Sequence, residues 1–170
     1  MKTTKLMSMF LALGLLVSIS ATSFAQKANF AGSYTYNAAK SNAGENNFRQ
    51  PASKITVTQD AAALSAERTG KGFDGQDQVT KEKYNLDGTV SENPVFGTTM
   101  RKSKVVWSTD GKTITISSSM TFDMNGQSTE IKSSEAWTLG ADGSITIVAV
   151  SSSPMGGGET KQTLVYDKAK

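Results

Sequence analysis

Arg101, Ser103, Ser118, Ser133 and Glu135 are the residues of this chain whose types and spacing best suit chemistry, with Trp107, Trp137 and Tyr84 nearby in register. A guanidinium, a carboxylate and a row of small hydroxyls form a set of donors and acceptors that orients a small ligand. Catalysis is harder to build here. The chain has no His and no Cys. That removes Ser-His-Asp and Cys-His catalysis, and with it the usual ligands of zinc, copper and haem. A general base near neutral pH has to be a strongly tuned Glu, Asp, Lys or Tyr. Paired carboxylates alone suffice for glycoside hydrolysis, so a carboxylate-dependent, glycan-active enzyme stays open as a third reading. No catalytic residue, metal or cofactor is expected.

Other motifs carry less. "TGKGFDGQD" (69–77) has glycines, Lys71 and two acids, but lacks the strand–loop–helix setting of a phosphate loop. Asp74 and Asp77 fall short of a calcium-loop ligand set. Both read as a hairpin loop.

The elements that must position these residues follow from a near-repeat. "WSTDGKTITI" (107–116) and "WTLGADGSITI" (137–147) share an aromatic, an Asp-Gly corner and an alternating run, and "YNLDGTV" (84–90) is a looser copy. Asp-Gly and Asn-Gly favour hairpin loops because the loop needs positive φ. Short period-two runs predict strands near 30–36, 53–59, 62–69, 77–86, 99–108, 112–124, 127–139, 144–153 and 159–168. The stretches 37–53 and 88–97 read as loops, the second because Pro94 breaks a strand. The expected fold is all-β: an up-and-down antiparallel meander of about 8–10 strands that either closes into a barrel or packs as two sheets, since open edges invite aggregation.

The corners also fix register. If Asn125 and Gly126 are the two loop residues, Met120 faces Ile131, Ser118 faces Ser133, Ile116 faces Glu135 and Ile114 faces Trp137. An Asp110–Gly111 corner sets Trp107 beside Ile114, Val105 beside Ile116, Ser103 beside Ser118 and Arg101 beside Met120. Pairing Leu139 with Ile145 puts Ile147 beside Trp137, Ala149 beside Glu135 and Ser151 beside Ser133. The inner rows then run Trp107-Ile114-Trp137-Ile147, Val105-Ile116-Glu135-Ala149 and Ser103-Ser118-Ser133-Ser151. The opposite face is polar and belongs to solvent. A row of serines does not fill a barrel at native density. Either bulk arrives from facing strands, from Tyr34, Tyr36, Tyr84 and Leu164, or the space is a partly open cavity. Glu135, facing inward, needs Arg101, a Lys or a ligand as its partner.

The amino end carries a targeting pattern. Lys2 and Lys5 precede the apolar "LMSMFLALGLLVSI", and Ser23-Phe24-Ala25 is a small-x-small cleavage site. Residues 1–25 are read as a signal peptide and 26–170 as a single domain, periplasmic or secreted, with no transmembrane anchor after cleavage. Removing Lys2 and Lys5 leaves 16 of 18 basic residues against 15 acidic ones. That near-balance gives nucleic acid or an anionic membrane nothing to recognise. A monomer is expected.

"FAGSYTYNAAKSN", "ITVTQDAAALSAERTG", "EKYNLDG", "VVWSTDGKTITIS", "SEAWTLGADGSITI" and "TLVYDK" together resemble exported bacterial lipocalin-like (calycin-type) proteins of unassigned function. The resemblance spans nearly all of residues 26–170. It implies a lipocalin or fatty-acid-binding type of barrel that holds a small apolar or amphipathic molecule in its interior without chemistry, with 37–53 placed near the mouth. Tyr34 or Tyr36 stands where the signature has Trp. A filled barrel acting as a structural or interaction module of the cell envelope is the alternative.

Overall fold

From Ile114 to Ile147 every second side chain turns to one face, and that alternation builds the wall of a barrel. The computed structural model describes residues 26–44, 50–72, 75–124, 127–152 and 158–170. The strands are β1 (Gly32–Tyr36), β2 (Lys54–Gln59), β3 (Ala63–Lys71), β4 (Asp77–Asn85), β5 (Ser91–Phe96), β6 (Thr99–Trp107), β7 (Thr113–Met124), β8 (Gln127–Leu139), β9 (Ile145–Ser152) and β10 (Glu159–Lys168). They form one antiparallel sheet in the order β4-β3-β2-β1-β10-β9-β8-β7-β6-β5. Neighbours in sequence are neighbours in space, except that β1 also meets β10 and carries the sheet around. The result is a nearly closed up-and-down barrel. The one helical piece among the described residues is a single 3-10 turn, Ala38–Lys40.

The register follows the turn chemistry. Ile114 pairs with Trp137, Ile116 with Glu135 and Ser118 with Ser133. Trp107 pairs with Ile114, Val105 with Ile116 and Ser103 with Ser118. Trp137 pairs with Ile147, Glu135 with Ala149 and Ser133 with Ser151. The Asn125–Gly126 corner itself lies outside the described residues. The Asp110–Gly111 corner is longer than a two-residue loop: Ser108 N–H bonds Thr113 O at 2.9 Å, and Gly111 N–H returns to Ser108 O at 3.0 Å. Its symmetry about the same centre leaves the pairing unchanged. The β8–β9 corner is one residue shorter, with Gly140 N–H bonding Ser144 O at 2.8 Å, but it keeps the return bond, Gly143 N–H to Gly140 O at 3.0 Å, and Gly111 and Gly143 both take positive φ, at 68° and 80°.

Two expectations are corrected. Residues 91–96, read as loop, form β5, so there are ten strands rather than nine. Pro94 is tolerated because β5 ends the sheet and its ladder shifts register between Pro94 and Phe96. Residues 30 and 31, read as strand, precede β1 and cross one end of the barrel. There Ala28 N–H bonds Gly111 O at 2.8 Å, and the Gln59 amide bonds both Phe30 N–H and Ala28 O.

Phe30 plugs that end. It is fully buried, and its ring lies 6.2 Å from Trp107 and 6.3 Å from Trp137. Tyr34, Leu64, Tyr84, Leu86, Ile114 and Ile145 pack around it. The lower half of the barrel is thus a dry core. Tyr34, Tyr84 and Leu164 are buried in this core, with Tyr36 partly buried against it.

The other end carries the connections β1–β2, β3–β4, β5–β6, β7–β8 and β9–β10. Of the 37–53 segment, the described part extends the wall: Asn42 pairs with Thr163 of β10 above the end of β1. Residues 45–49 lie outside the described residues.

Candidate functional site

Above the apolar floor four charged side chains enter the barrel at one level. Arg68 comes from β3, Glu82 from β4, Arg101 from β6 and Glu135 from β8. Each sits at an inward parity position: Arg68 follows Leu64 and Ala66, Glu82 precedes Tyr84, Arg101 precedes Ser103 and Val105, and Glu135 precedes Trp137.

They connect as a chain of alternating charge. Arg68 Nη2 lies 2.5 Å from Glu135 Oε2, Arg68 Nε lies 3.2 Å from Glu82 Oε2, and Arg101 Nη1 lies 2.5 Å from Glu82 Oε1. Trp137 Nε1–H donates to Glu135 Oε2 at 2.8 Å, and the Arg68 guanidinium carbon stands 5.2 Å from the centre of the Trp137 ring. Two positive and two negative groups make the belt neutral. Burial opposes the Arg68 charge. Glu135 and Glu82 outweigh that cost and hold its pKa well above the ordinary guanidinium value.

Two tyrosines face the belt. Burial pushes the Tyr84 phenol well above its usual range; Glu82, its hydrogen-bond partner, adds to the rise while Arg68 opposes it. Burial pushes Tyr166 up to about 12, with Arg68 opposing and Glu135 and Tyr36 adding. The Tyr166 hydroxyl is buried and has no hydrogen-bond partner among the described residues. The same holds for Arg68 Nε, which is ion-paired with Glu82 but poorly aligned for a hydrogen bond, and for Trp107 Nε1.

The belt grades from buried to accessible. Side-chain exposure is 5% at Glu82, 14% at Arg101, 15% at Arg68 and 28% at Glu135. Past the belt, inward-facing residues stay partly exposed: Ser118, Met120, Ile131, Ser133, Ser151 and Thr160. Phe30 seals the opposite end, so their water reaches them from the open end. Ser103 is the exception: it is buried, with its Oγ 2.8 Å from Ser118 Oγ.

The expected residues therefore fall in three places. Arg101, Glu135 and Tyr84 meet at the belt. Ser103, Ser118 and Ser133 line the row beside it, and Trp137 supports Glu135 from below. Trp107 lies elsewhere, in the floor against Phe30, with Lys27 Nζ 5.1 Å from its ring centre. Glu135 is ion-paired with Arg68, a partner not among the expected Arg101 and Lys, and Arg101 is ion-paired with Glu82. Arg68 and Glu82 went unremarked in the sequence. Their inward parity beside Leu64, Ala66 and Tyr84 was the available signal.

A hollow of about 310 Å³ opens beside β2–β4, bordered by Thr56, Thr58, Ser65, the exposed Glu67–Lys81 pair, Asn93 and the belt residue Glu82. Among the described residues no group of three acidic side chains converges to hold a metal ion, and no helix is long and apolar enough to cross a membrane. No family model, no curated protein and no solved structure matches this chain.

Proposed function

We propose that the protein is an exported, non-enzymatic binding protein that holds a small molecule in the upper half of its barrel. One observation carries this reading: inward side chains beyond the belt remain partly exposed while the floor below them is sealed. A barrel serving only as a scaffold has no use for a hydrated interior lined with hydroxyls, because filling it with apolar side chains is more stabilising. The belt acts as a recognition surface at the base of the chamber. Export to a periplasmic or extracellular site rests on the Lys2/Lys5 start, the apolar run and Ala25, all outside the described residues. The likeness to exported lipocalin-like proteins is part of this proposal and rests on the corners and core aromatics quoted above. The protein acts alone, as a monomer.

The test is native mass spectrometry of the protein recovered from the compartment it is exported to. The expected spectrum carries a non-covalent adduct that vanishes on denaturation. Ser133→Phe, which fills the chamber without touching the floor, removes the adduct and leaves the thermal midpoint within a few degrees. An adduct that persists in Ser133→Phe contradicts the placement. An adduct-free spectrum, with no stabilisation by any class of added small molecule, contradicts the function.

A further inference from the structure

We infer that the ligand is a small, uncharged, polyhydroxylated molecule, of the sugar or polyol class, rather than an apolar or ionised one. The inference rests on reading the chamber as a binding site and names what that site accepts.

The lining decides against an apolar occupant. Ser118, Ser133, Ser151 and Thr160 present hydroxyls around the open half, with Ile131 and Met120 the larger apolar groups among them. The Ser133 hydroxyl has no bond to another described residue. Ser118 Oγ meets Ser103 Oγ at 2.8 Å, Ser151 Oγ donates to Ser152 O at 3.4 Å and Thr160 Oγ1 donates to Ser151 O at 3.3 Å, so these hydroxyls keep acceptor capacity that a hydrocarbon tail, displacing their water, leaves unmet. A hydroxylated ligand replaces each water with a group that both donates and accepts, as serine does.

The belt decides against an ionised occupant. Arg68 and Arg101 already balance Glu82 and Glu135 through contacts of 2.5–3.2 Å. Tyr84 and Tyr166 face them from the packed strands, and burial keeps both phenols neutral. A ligand carboxylate, phosphate or ammonium therefore enters with a charge that has no unmatched counterpart. Vicinal hydroxyls suit the belt instead: one donates to a carboxylate while its neighbour accepts from a guanidinium.

A second observation points to an occupant. Tyr166 is 1% exposed, yet its hydroxyl has no partner, in a region where the charges of Arg68 and Glu135 reach it. A buried hydroxyl without a partner is uncommon in a protein whose interior is complete. We assign it as a direct hydrogen-bonding group for the ligand.

The experiment is a thermal-shift panel on the purified protein, backed by Trp fluorescence, since Trp137 bonds Glu135. The probes are pentoses, hexoses, their alditols and short oligosaccharides at about 10 mM. Decanol represents the apolar class, and acetate, phosphate and lysine the ionised one. The expected result is a rise of about 3 °C or more with at least one free sugar or alditol. An oligosaccharide that exceeds its own monomer places the natural source in a glycan, and the chemistry stands. Tyr166→Phe keeps the unliganded midpoint or raises it, and weakens the sugar by about tenfold. A shift with decanol or an ion and none with any hydroxylated probe overturns this inference and leaves the binding function intact. Silence from every class overturns both. A Tyr166→Phe protein that loses stability without ligand yet keeps its sugar affinity overturns the role given to Tyr166.

Discussion

Arg68 is the side chain on which the interior depends most, because it faces two carboxylates at once. Replacing it with Met keeps the length of the side chain and leaves Glu82 and Glu135 inside the barrel with one guanidinium, Arg101, between them. The expected loss, read by urea denaturation, is about 3–5 kcal/mol, the usual cost of removing one partner of a buried pair. A loss under about 1 kcal/mol would mean that water already screens the belt. Tyr166 gives a pH signature at the same scale. An unfolded tyrosine ionises near 10, whereas the folded one holds its proton up to about 12. The contribution is therefore complete below pH 10 and disappears as pH climbs from 10 to 12, by roughly 3 kcal/mol. Tyr166→Phe should flatten that alkaline decline, and an unchanged slope would place the phenol in water. Of these groups, Arg101 and Glu135 were legible in the sequence because Asx-Gly corners flank their strands. Arg68 and Glu82 were not, because the β3–β4 pairs centre on residue 74, as Lys71 opposite Asp77 shows, and a two-residue Asp74-Gly75 corner misses that register by one.

All four connections at the plugged end are built on one device. Asp60, Asp87, Asp110 and Asp142 each accept a hydrogen bond from a backbone N–H two residues on: Ala62, Thr89, Lys112 and Ser144. At Asp87, Asp110 and Asp142 this is the physical content of the repeated Asp-Gly; Asp60, followed by Ala61, uses the same bond without the glycine. The bond orders the ends of the strands that carry the belt. Bonds from Ser144, Thr89 and Ser108 hydroxyls hold Asp142, Asp87 and Asp110 below the usual carboxylate range, and backbone N–H groups of Ala63 and Ala62 do so for Asp60. For such groups the stabilisation is present above the unfolded pKa of about 3.9 and is lost as pH falls through the lower folded value. Acid unfolding should accordingly set in below pH 4. Asp110→Ala should lower the neutral-pH midpoint by several degrees and weaken the acid dependence; loss of one without the other would separate the turn from its charge. Registers from 102 to 151 were readable for the same reason, since each corner has a centre that fixes the pairs beyond it. β5 was hidden by Pro94, whose cost vanishes only where a strand has a single ladder partner.

At the scale of the whole molecule, the barrel has a seam. No main-chain ladder joins β4 to β5 among the described residues, and side chains close the gap. The Asn93 amide accepts from Lys83 N–H at 2.7 Å and donates to Lys83 O at 3.0 Å, and Ser91 Oγ accepts from Asn85 N–H at 2.7 Å. Asn93 thus stands in for a missing stretch of backbone, while the Arg101–Glu82 pair ties β6 to β4 across the same gap. Asn93→Leu leaves the part-buried N–H and C=O of Lys83 without this partner. It should cost about 1–3 kcal/mol, with faster amide exchange at Lys83 than at any residue of β7. Equal exchange at both would mean that the seam is closed by something other than Asn93. Seam, plug and belt together describe a barrel solid below and open above.

That division is tested most directly by cysteine accessibility, which is clean here because the chain has no native cysteine. Single cysteines at Ser133, at outward-facing Ser134 and at floor residue Ile147 are titrated with polar thiol reagents of increasing size. Full reactivity is expected at 134 with every reagent and none at 147. At 133 small reagents should react and bulky ones should be excluded. Silence at 133 matching that at 147 would show a filled barrel, and full reactivity matching 134 would show that the serine row does not face an enclosed space.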